Sequence, residues 1–428
     1  MKLLSIFKHK TAQNAWYLIV GKVIQMGFSL LIGMLTARYL GPSNYGLINY
    51  AAAYTGFFAA ICTLGINDVI VKELIDNPGQ DGIVVGTSLI LRTISSLLSA
   101  IMIVIISFFV DAGEETTIIV VALAGFGMIF QVAETFSYWF QSRLESKVTA
   151  IATLVAYLIS SFYKISLLIR QKPVAYFALV SSIDYLCLGI IQYVQYKKRG
   201  GGKITFSWEY GKKLLNKSKH FILPSLMVSI YGQTDKLMLK PLMGEEEVGF
   251  YSTAVVISGM WCFILNAIIQ SMYPSIMEAS KQKDEALFKR RNLQLYAFVF
   301  YLSIFVSVLF TVFPGVVIRV LYGENYLPAV NPLRIITWYT AFSYLGVARN
   351  AWVVAKDRQK HLFKIYAASA LTNVILNMLL IPKWGASGAA VASLVAQVFT
   401  TFVVPFFIRD LRENARMMLD AVMLKGIK

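Results

Sequence analysis

Runs of roughly 18 or more predominantly apolar residues recur along the whole of this 428-residue chain, and each is long enough to cross the ~30 Å hydrocarbon layer of a bilayer. Lipid offers backbone N–H and C=O groups no partner, so such runs are expected to be helices, which pair those groups internally. Barrel strands are only about ten residues long and alternate with a period of two; these segments are twice that length and apolar on all sides. The composition agrees. Hydrophobic residues make up 57% and charged residues 15%, whereas soluble domains carry about 25% charged residues; the mean hydropathy is +0.62. About twelve spans are expected, at 14–36, 45–66, 83–110, 117–139, 148–169, 174–196, 221–242, 248–274, 293–313, 332–354, 362–381 and 386–408. The basic start, Met1 to Lys10, leads into a full-length apolar stretch with no small-residue cleavage site, so no cleavable signal is expected.

The net charge of +17 does not point to nucleic acid, because the basic residues stand between the spans. With the N-terminus placed inside, the inside segments hold nearly all of the cations, in groups such as Lys197-Lys198-Arg199, Lys212-Lys213 and Lys289-Arg290-Arg291. The outside segments hold few, and two are acidic: Asp111-Ala-Gly-Glu-Glu115 and Glu245-Glu-Glu247. By the positive-inside bias both termini are cytoplasmic. Cys62, Cys187 and Cys262 fall inside spans and read as small packing residues.

The longest inside connection, 197–220, divides the chain into halves of six spans each. The expected organisation is an N-terminal lobe over 1–196, a basic cytoplasmic linker over 197–220, a C-terminal lobe over 221–408 and a cytoplasmic tail over 409–428. The basic, amphipathic linker reads as a segment lying on anionic headgroups, with a docking site for a partner enzyme as the alternative. The halves echo each other. Gly41…Gly46 followed by Tyr50 answers Gly244…Gly249 followed by Tyr251, at equal glycine spacing; Trp139, Arg143 and Lys147 answer Trp352, Lys356 and Lys360. An even number of spans per half makes these parallel repeats, the plan of transporters that place substrate between two lobes.

The same patches resemble a known family. Arg38-Tyr-Leu-Gly-Pro-Ser-Asn-Tyr-Gly-Leu47, Trp139-Phe-Gln-Ser-Arg-Leu-Glu-Ser-Lys147, Tyr231-Gly-Gln-Thr-Asp-Lys-Leu-Met-Leu239, Gly249-Phe-Tyr-Ser-Thr-Ala254 and Leu321-Tyr-Gly-Glu-Asn-Tyr326 are similar, in this order, to Wzx-type polysaccharide-transport flippases. That family belongs to the multidrug/oligosaccharidyl-lipid/polysaccharide (MOP) exporter superfamily. The resemblance implies an all-α, MATE-like integral membrane fold of two six-helix lobes. It also implies a substrate of the undecaprenyl-diphosphate-linked oligosaccharide type, an O-antigen or capsule repeat unit. That substrate would be flipped by alternating access across the bacterial cytoplasmic membrane, with polysaccharide polymerase and chain-length proteins as partners and no cofactor. A drug/cation antiporter of the same superfamily is the alternative within transport; it would favour carboxylates and aromatics over the excess of cations in these spans. A membrane-embedded polymerase, the alternative of another class, would carry a sizeable outside loop with catalytic residues, and the outside loops are short. His9, His220 and His361 sit at inside boundaries, and there is no nucleotide-binding glycine loop or cysteine-pair metal site.

Charges within spans are costly and need partners or a wet cavity. The cations are Lys22, Arg92, Lys164, Lys236 and Arg349; the acids are Glu134, Asp184 and Asp235. Asn14, Lys22, Gln25 and Ser29 share one helical face, as do Ser88, Arg92, Ser95 or Ser96, and Ser99. At ~1.5 Å per residue Arg92 stands about 14 Å and Lys22 about 12 Å from the inner ends of their spans. Lys22, Gln25, Arg92 and Lys236 are candidates for binding an anionic diphosphate headgroup. For Lys22 and Arg92, pairing with Asp184 or Glu134 is the other reading. Glu134, Asp184 and Asp235 are candidates for ion coupling or helix pairing. Lys164 and Arg349 lie where they can snorkel.

The charge pattern generates a topological expectation. In a background lacking the native cysteines, Glu246→Cys should react with an impermeant thiol reagent in intact cells and Lys198→Cys should not. The reverse pattern would invert the topology.

Overall fold

The computed structural model describes residues 10–426; the side chains of 10–24, Asp68, His220 and Phe221 lie outside the description. Among the described residues the chain is all-helical, without strands. The helices are α1 (Lys10–Thr63), α2 (Asn67–Asp76), α3 (Asp81–Val110), α4 (Glu115–Gln131), α5 (Thr135–Ser142), α6 (Ser146–Ile169), α7 (Val174–Ala178), α8 (Val180–Lys198), α9 (Trp208–Met243), α10 (Glu245–Gly259), α11 (Cys262–Lys281), α12 (Glu285–Val312), α13 (Pro314–Leu321), α14 (Val330–Ala355), α15 (Leu362–Val398), α16 (Val404–Phe407) and α17 (Arg412–Val422). Among the described residues seven helices are long and apolar enough to cross a membrane, or eight if the bent pair α10–α11 counts as one span. α1 and α15 are each broken internally, at Gly41 and Gly385. Each apolar segment expected from the sequence overlaps a helix.

By its contacts the chain divides into two units. The first comprises Met1–Leu40 and Leu47–Ser229, the second Gly41–Gly46 and Ile230–Lys428. The internal repeat is legible in the backbone. Gly41 (φ 71, ψ 172) and Gly244 (φ 92, ψ 174) adopt the same left-handed, extended conformation at the start of a helical segment. Such a φ is open to glycine at little cost. Within the second unit the other glycine of each pair makes a reciprocal close approach. A Cβ on Gly46 would collide with the Glu245 carbonyl, and one on Gly249 with the Pro42 carbonyl. Glu247 then accepts a 2.6 Å hydrogen bond from the Ala386 N–H, where α15 restarts after its break.

The second echo is equally physical. In the first unit the fully buried Trp139 donates to Asp81 (2.8 Å), and Arg143, its guanidinium over the Trp139 ring, pairs with the same carboxylate at 2.6 Å. In the second unit Trp352 is likewise buried and Lys356 pairs with Glu285 at 2.7 Å. Asp81 and Glu285 are the first residues of α3 and α12, where a negative charge also meets the positive end of the helix dipole.

The linker is bonded to the first unit on one side. After α8 the chain runs extended as a strap over the start of α3. Thr205 N–H donates to the Gly82 carbonyl (3.1 Å), Ser207 N–H to Thr87 Oγ1 (3.1 Å) and Tyr196 hydroxyl to the Gly202 carbonyl (2.8 Å). Gly82 and Gly86 make this possible, since a Cβ at either would strike the strap's backbone. Glu73 of α2, only 1% exposed, clamps the helix that follows. It accepts from Tyr210 at 2.5 Å and pairs with Lys213 at 3.0 Å and with Lys217. At the other end of the chain, α17 buries Met417 and Met418, and Asn414 donates to Tyr296 at 2.7 Å.

Burial pushes the Glu73 carboxyl upward, but Lys217, Tyr210 and Lys213 together outweigh it and hold the group at about 2. A depressed carboxyl stabilises the fold above its unfolded value of about 4.3 and loses that contribution as pH falls toward the folded value. Glu73→Gln should therefore cost on the order of 2 kcal/mol at pH 7. The difference from wild type in thermal unfolding should shrink steadily from about pH 5 toward pH 2. A difference independent of pH would remove the clamp.

Candidate functional site

Each unit carries a polar cluster within its apolar helices. In the first unit a 3-10 turn, Val132–Glu134, interrupts the path from α4 to α5 and turns Glu134 and Thr135 toward α3. Arg92, 1% exposed, donates from Nη1 to Thr135 Oγ1 at 3.0 Å, and its Nη2 lies 3.6 Å from Glu134 Oε2. The Tyr138 ring centroid stands 5.9 Å from the guanidinium. Glu134 is also within electrostatic reach of Asp184, which accepts from Ser160 at 3.1 Å and interacts with the charge of Lys164, one turn further along α6. Two cations and two carboxylates thus share this cluster. The serine stripe of α3 is buried in helix packing: Ser88, Ser95, Ser96 and Ser99 are all inaccessible, and Ser95 donates to the Ile61 carbonyl at 2.7 Å.

The second unit is built differently. Asp235 of α9, 6% exposed, accepts four hydrogen bonds from neutral donors. They come from Tyr251, from Asn373 (3.0 Å) and Asn377 (2.7 Å), one turn apart on α15, and from Ser393 (2.5 Å) beyond the Gly385 break. Among the described residues no basic group forms a salt bridge with Asp235, although the charges of Asp235 and Lys236 interact. Lys236, half-buried beside it, is displaced by about 100° around the helix. The Asn377 Oδ1 has no hydrogen-bond partner, so a neutral carbonyl oxygen stands free in the cluster. One turn before Asp235, Tyr231 donates to Gln397 at 2.8 Å, and Gln397 to Thr401 at 3.0 Å. Thr401 lies in a π-helical turn, 399–403, a distortion often found at functional sites. A carboxylate buried in an apolar membrane domain, bonded but not neutralised, is costly unless a proton or a cation joins it.

Among the residues singled out from sequence, Arg92 and Glu134 are brought together, with Asp184 nearby; Asp235 forms its own centre with Lys236 adjacent. Gln25 is half-buried in α1, and the Lys22 side chain lies outside the described residues. Arg349 does not snorkel: it is 3% exposed, packed near Tyr296 and Tyr366. Lys164 is half-buried beside Asp184 rather than reaching outward. Sequence reasoning missed Thr135, Ser160, Tyr251, Asn373, Asn377 and Ser393. The Asn373/Asn377 pair at helical spacing inside an apolar run was the available signal.

A family model described as "Polysaccharide biosynthesis protein" matches residues 11–280. The chain belongs to this polysaccharide biosynthesis family. It is similar to the capsular polysaccharide biosynthesis protein CapF of Staphylococcus aureus, at 23% identity over 90% of this chain and 96% of the relative. A putative O-antigen transporter of Shigella flexneri is 22% identical over 83% of this chain and 87% of the relative. Among solved structures, the lipid II flippase MurJ superposes with a TM-score of 0.70 over 95% of this chain and 90% of that one, at 14% identity. A MATE multidrug transporter of the MOP superfamily gives 0.68 over 92% and 96%, at 16% identity. This member of the family therefore shares the fold of these two solved structures, with several helices long and apolar enough to cross a membrane.

The Arg92–Glu134 geometry sets an expectation for variants. Removing one charge of a buried pair strands the other, at a cost of roughly 3–5 kcal/mol, whereas removing both is close to neutral. Arg92→Gln should lower the melting temperature of the purified protein and Arg92→Gln/Glu134→Gln should recover most of it. Failure of the double variant to recover would show that Arg92 is not balanced by Glu134.

Proposed function

We propose that this protein flips a lipid-linked oligosaccharide, of the undecaprenyl-diphosphate type, from the cytoplasmic to the outer leaflet of the bacterial cytoplasmic membrane. Both termini are cytoplasmic in this reading, following the charge asymmetry of the loops. One binding site is exposed in turn to the two sides. Family membership carries the reading, and the names of the similar proteins support it: capsule biosynthesis, O-antigen transport and lipid II flipping. Lys22, Gln25, Arg92 and Lys236 attract the diphosphate, with Arg92 weakened by Glu134. Polymerase and chain-length proteins would receive the product.

The Asp235 centre, whose four hydrogen-bond donors are neutral, is the coupling site in this proposal. Binding of a monovalent cation or a proton neutralises the carboxylate, and release restores a costly buried charge, so occupancy biases the protein between states. Asn377 Oδ1 offers a cation a further oxygen ligand. The same centre also suits the drug/cation antiporter, which the MATE likeness of the fold favours.

In a strain lacking the gene, wild-type protein should restore surface polysaccharide, and lipid-linked oligosaccharide in proteoliposomes should become accessible from the opposite side. Asp235→Asn, which keeps the shape but removes the charge, should insert normally and lower transport at least tenfold. Unchanged transport by Asp235→Asn would remove the coupling role. Restored resistance to cationic drugs without any effect on polysaccharide would favour the antiporter.

A further inference from the structure

The strap joining the two halves of the chain leaves an exposed basic face outside both polar clusters. Residues 197–219 carry eight cations and one acid, Glu209. Lys213 and Lys217 are engaged by Glu73, and Arg199 pairs with Glu145 at 2.7 Å. No carboxylate pairs with Lys197, Lys198, Lys203 or Lys212 among the described residues, and all four are exposed. Between the last two of these stand Phe206 and Trp208, 45% and 56% exposed, their ring centroids 6.4 Å apart. The Lys212 ammonium lies 5.9 Å from the Trp208 ring, and the Lys197 ammonium 6.0 Å from the Tyr193 ring. The opposite face of the segment is already satisfied: Gly211, Leu214 and Ser218 are buried, and the strap's backbone is bonded to α3.

We propose that this outward face is a docking surface for anionic phospholipid headgroups of the inner leaflet. It combines the two parts such recognition needs, at the place where a span ends and the next begins. Exposed aromatic rings settle at headgroup depth, and unpaired ammonium groups meet lipid phosphates. The Glu73 clamp and the strap's backbone bonds hold this face in a fixed arrangement on the first unit, so headgroups meet an ordered surface. Charge complementarity selects a lipid surface: four free cations and two aromatics lie within a short segment, with Glu209 as its single acid. The proposal rests on the cytoplasmic placement of residue 198, which the cysteine labelling reports separately.

The test uses the whole purified protein. Phosphatidylglycerol retained per protein is measured by native mass spectrometry, and the thermal shift on adding phosphatidylglycerol or phosphatidylcholine is measured at low and high salt. Wild type should retain several phosphatidylglycerols and be stabilised by that lipid more than by phosphatidylcholine. The preference should fade at 0.5 M salt, where the screening length falls to about 4 Å. The variant Lys197→Gln/Lys198→Gln/Lys203→Gln/Lys212→Gln, which spares the Glu73 partners, should retain several-fold less, and Trp208→Ala should lose a smaller part. Equal retention by wild type and the quadruple variant would overturn the proposal, as would a wild-type preference indifferent to salt. A quadruple variant that keeps its phosphatidylglycerol yet loses surface polysaccharide would also overturn it, and would assign the face to a protein partner.

Discussion

A polar group in hydrocarbon must find its partner inside the protein, and most features of this molecule follow from that rule. It makes the backbone helical, since only intrasegment pairing satisfies N–H and C=O groups without water. It also sorts the side chains. Large apolar residues such as Phe108, Phe109, Phe162 and Phe305 face outward, whereas serines, asparagines and charges are turned inward. The usual inside-out pattern of a soluble core is reversed here because the exterior is the apolar phase. Within each unit, hydroxyl and amide groups therefore do much of the work of specifying how helices meet, as Ser307 does with Thr337 and Ser95 with Ile61.

The internal repeat shows how little sequence such a plan requires. The two halves keep only scattered identities, yet these fall where geometry leaves no choice. Gly41 and Gly244 occupy a left-handed backbone that side chains resist. Gly46 and Gly249 let one backbone approach another. Trp139 and Trp352 fill equivalent positions, each followed one turn later by a cation that closes onto the first carboxylate of a neighbouring helix. Elsewhere any apolar residue of suitable size suffices, and the halves have diverged.

This explains what was legible from the sequence. The spans and the paired glycines are local signals, written in consecutive residues. The polar centres are not. Asp235 is visible as an acid in an apolar run, but its partners stand at 251, 373, 377 and 393, on three different stretches of helix. Nothing in one-dimensional spacing joins them. Arg92 and Glu134 were both visible, and their pairing was one of two open readings, because a helical stripe gives a direction but not the neighbour it meets. The strap's packing was hidden for a related reason. An amphipathic basic segment reads as lying on lipid, whereas its apolar side is seated on α3 and part of its charge is spent on Glu73.

The two units answer the same problem of buried charge in opposite ways, and the difference bears on function. In the first, Arg92 stands 3.6 Å from Glu134, and Lys164 interacts with the charge of Asp184. In the second, the four hydrogen bonds to Asp235 come from neutral donors, and Lys236, the next residue, interacts with its charge. Hydrogen bonds from amides and hydroxyls lower the cost of its charge but do not cancel it. Such a group retains an affinity for positive charge that a salt bridge would have extinguished. A transporter driven by an ion needs one place where that affinity is left open, and needs its other charges closed so that the response is confined there. In the ion-coupling proposal the second unit supplies that place at Asp235, beside Lys236, and the first unit keeps Arg92 against Glu134.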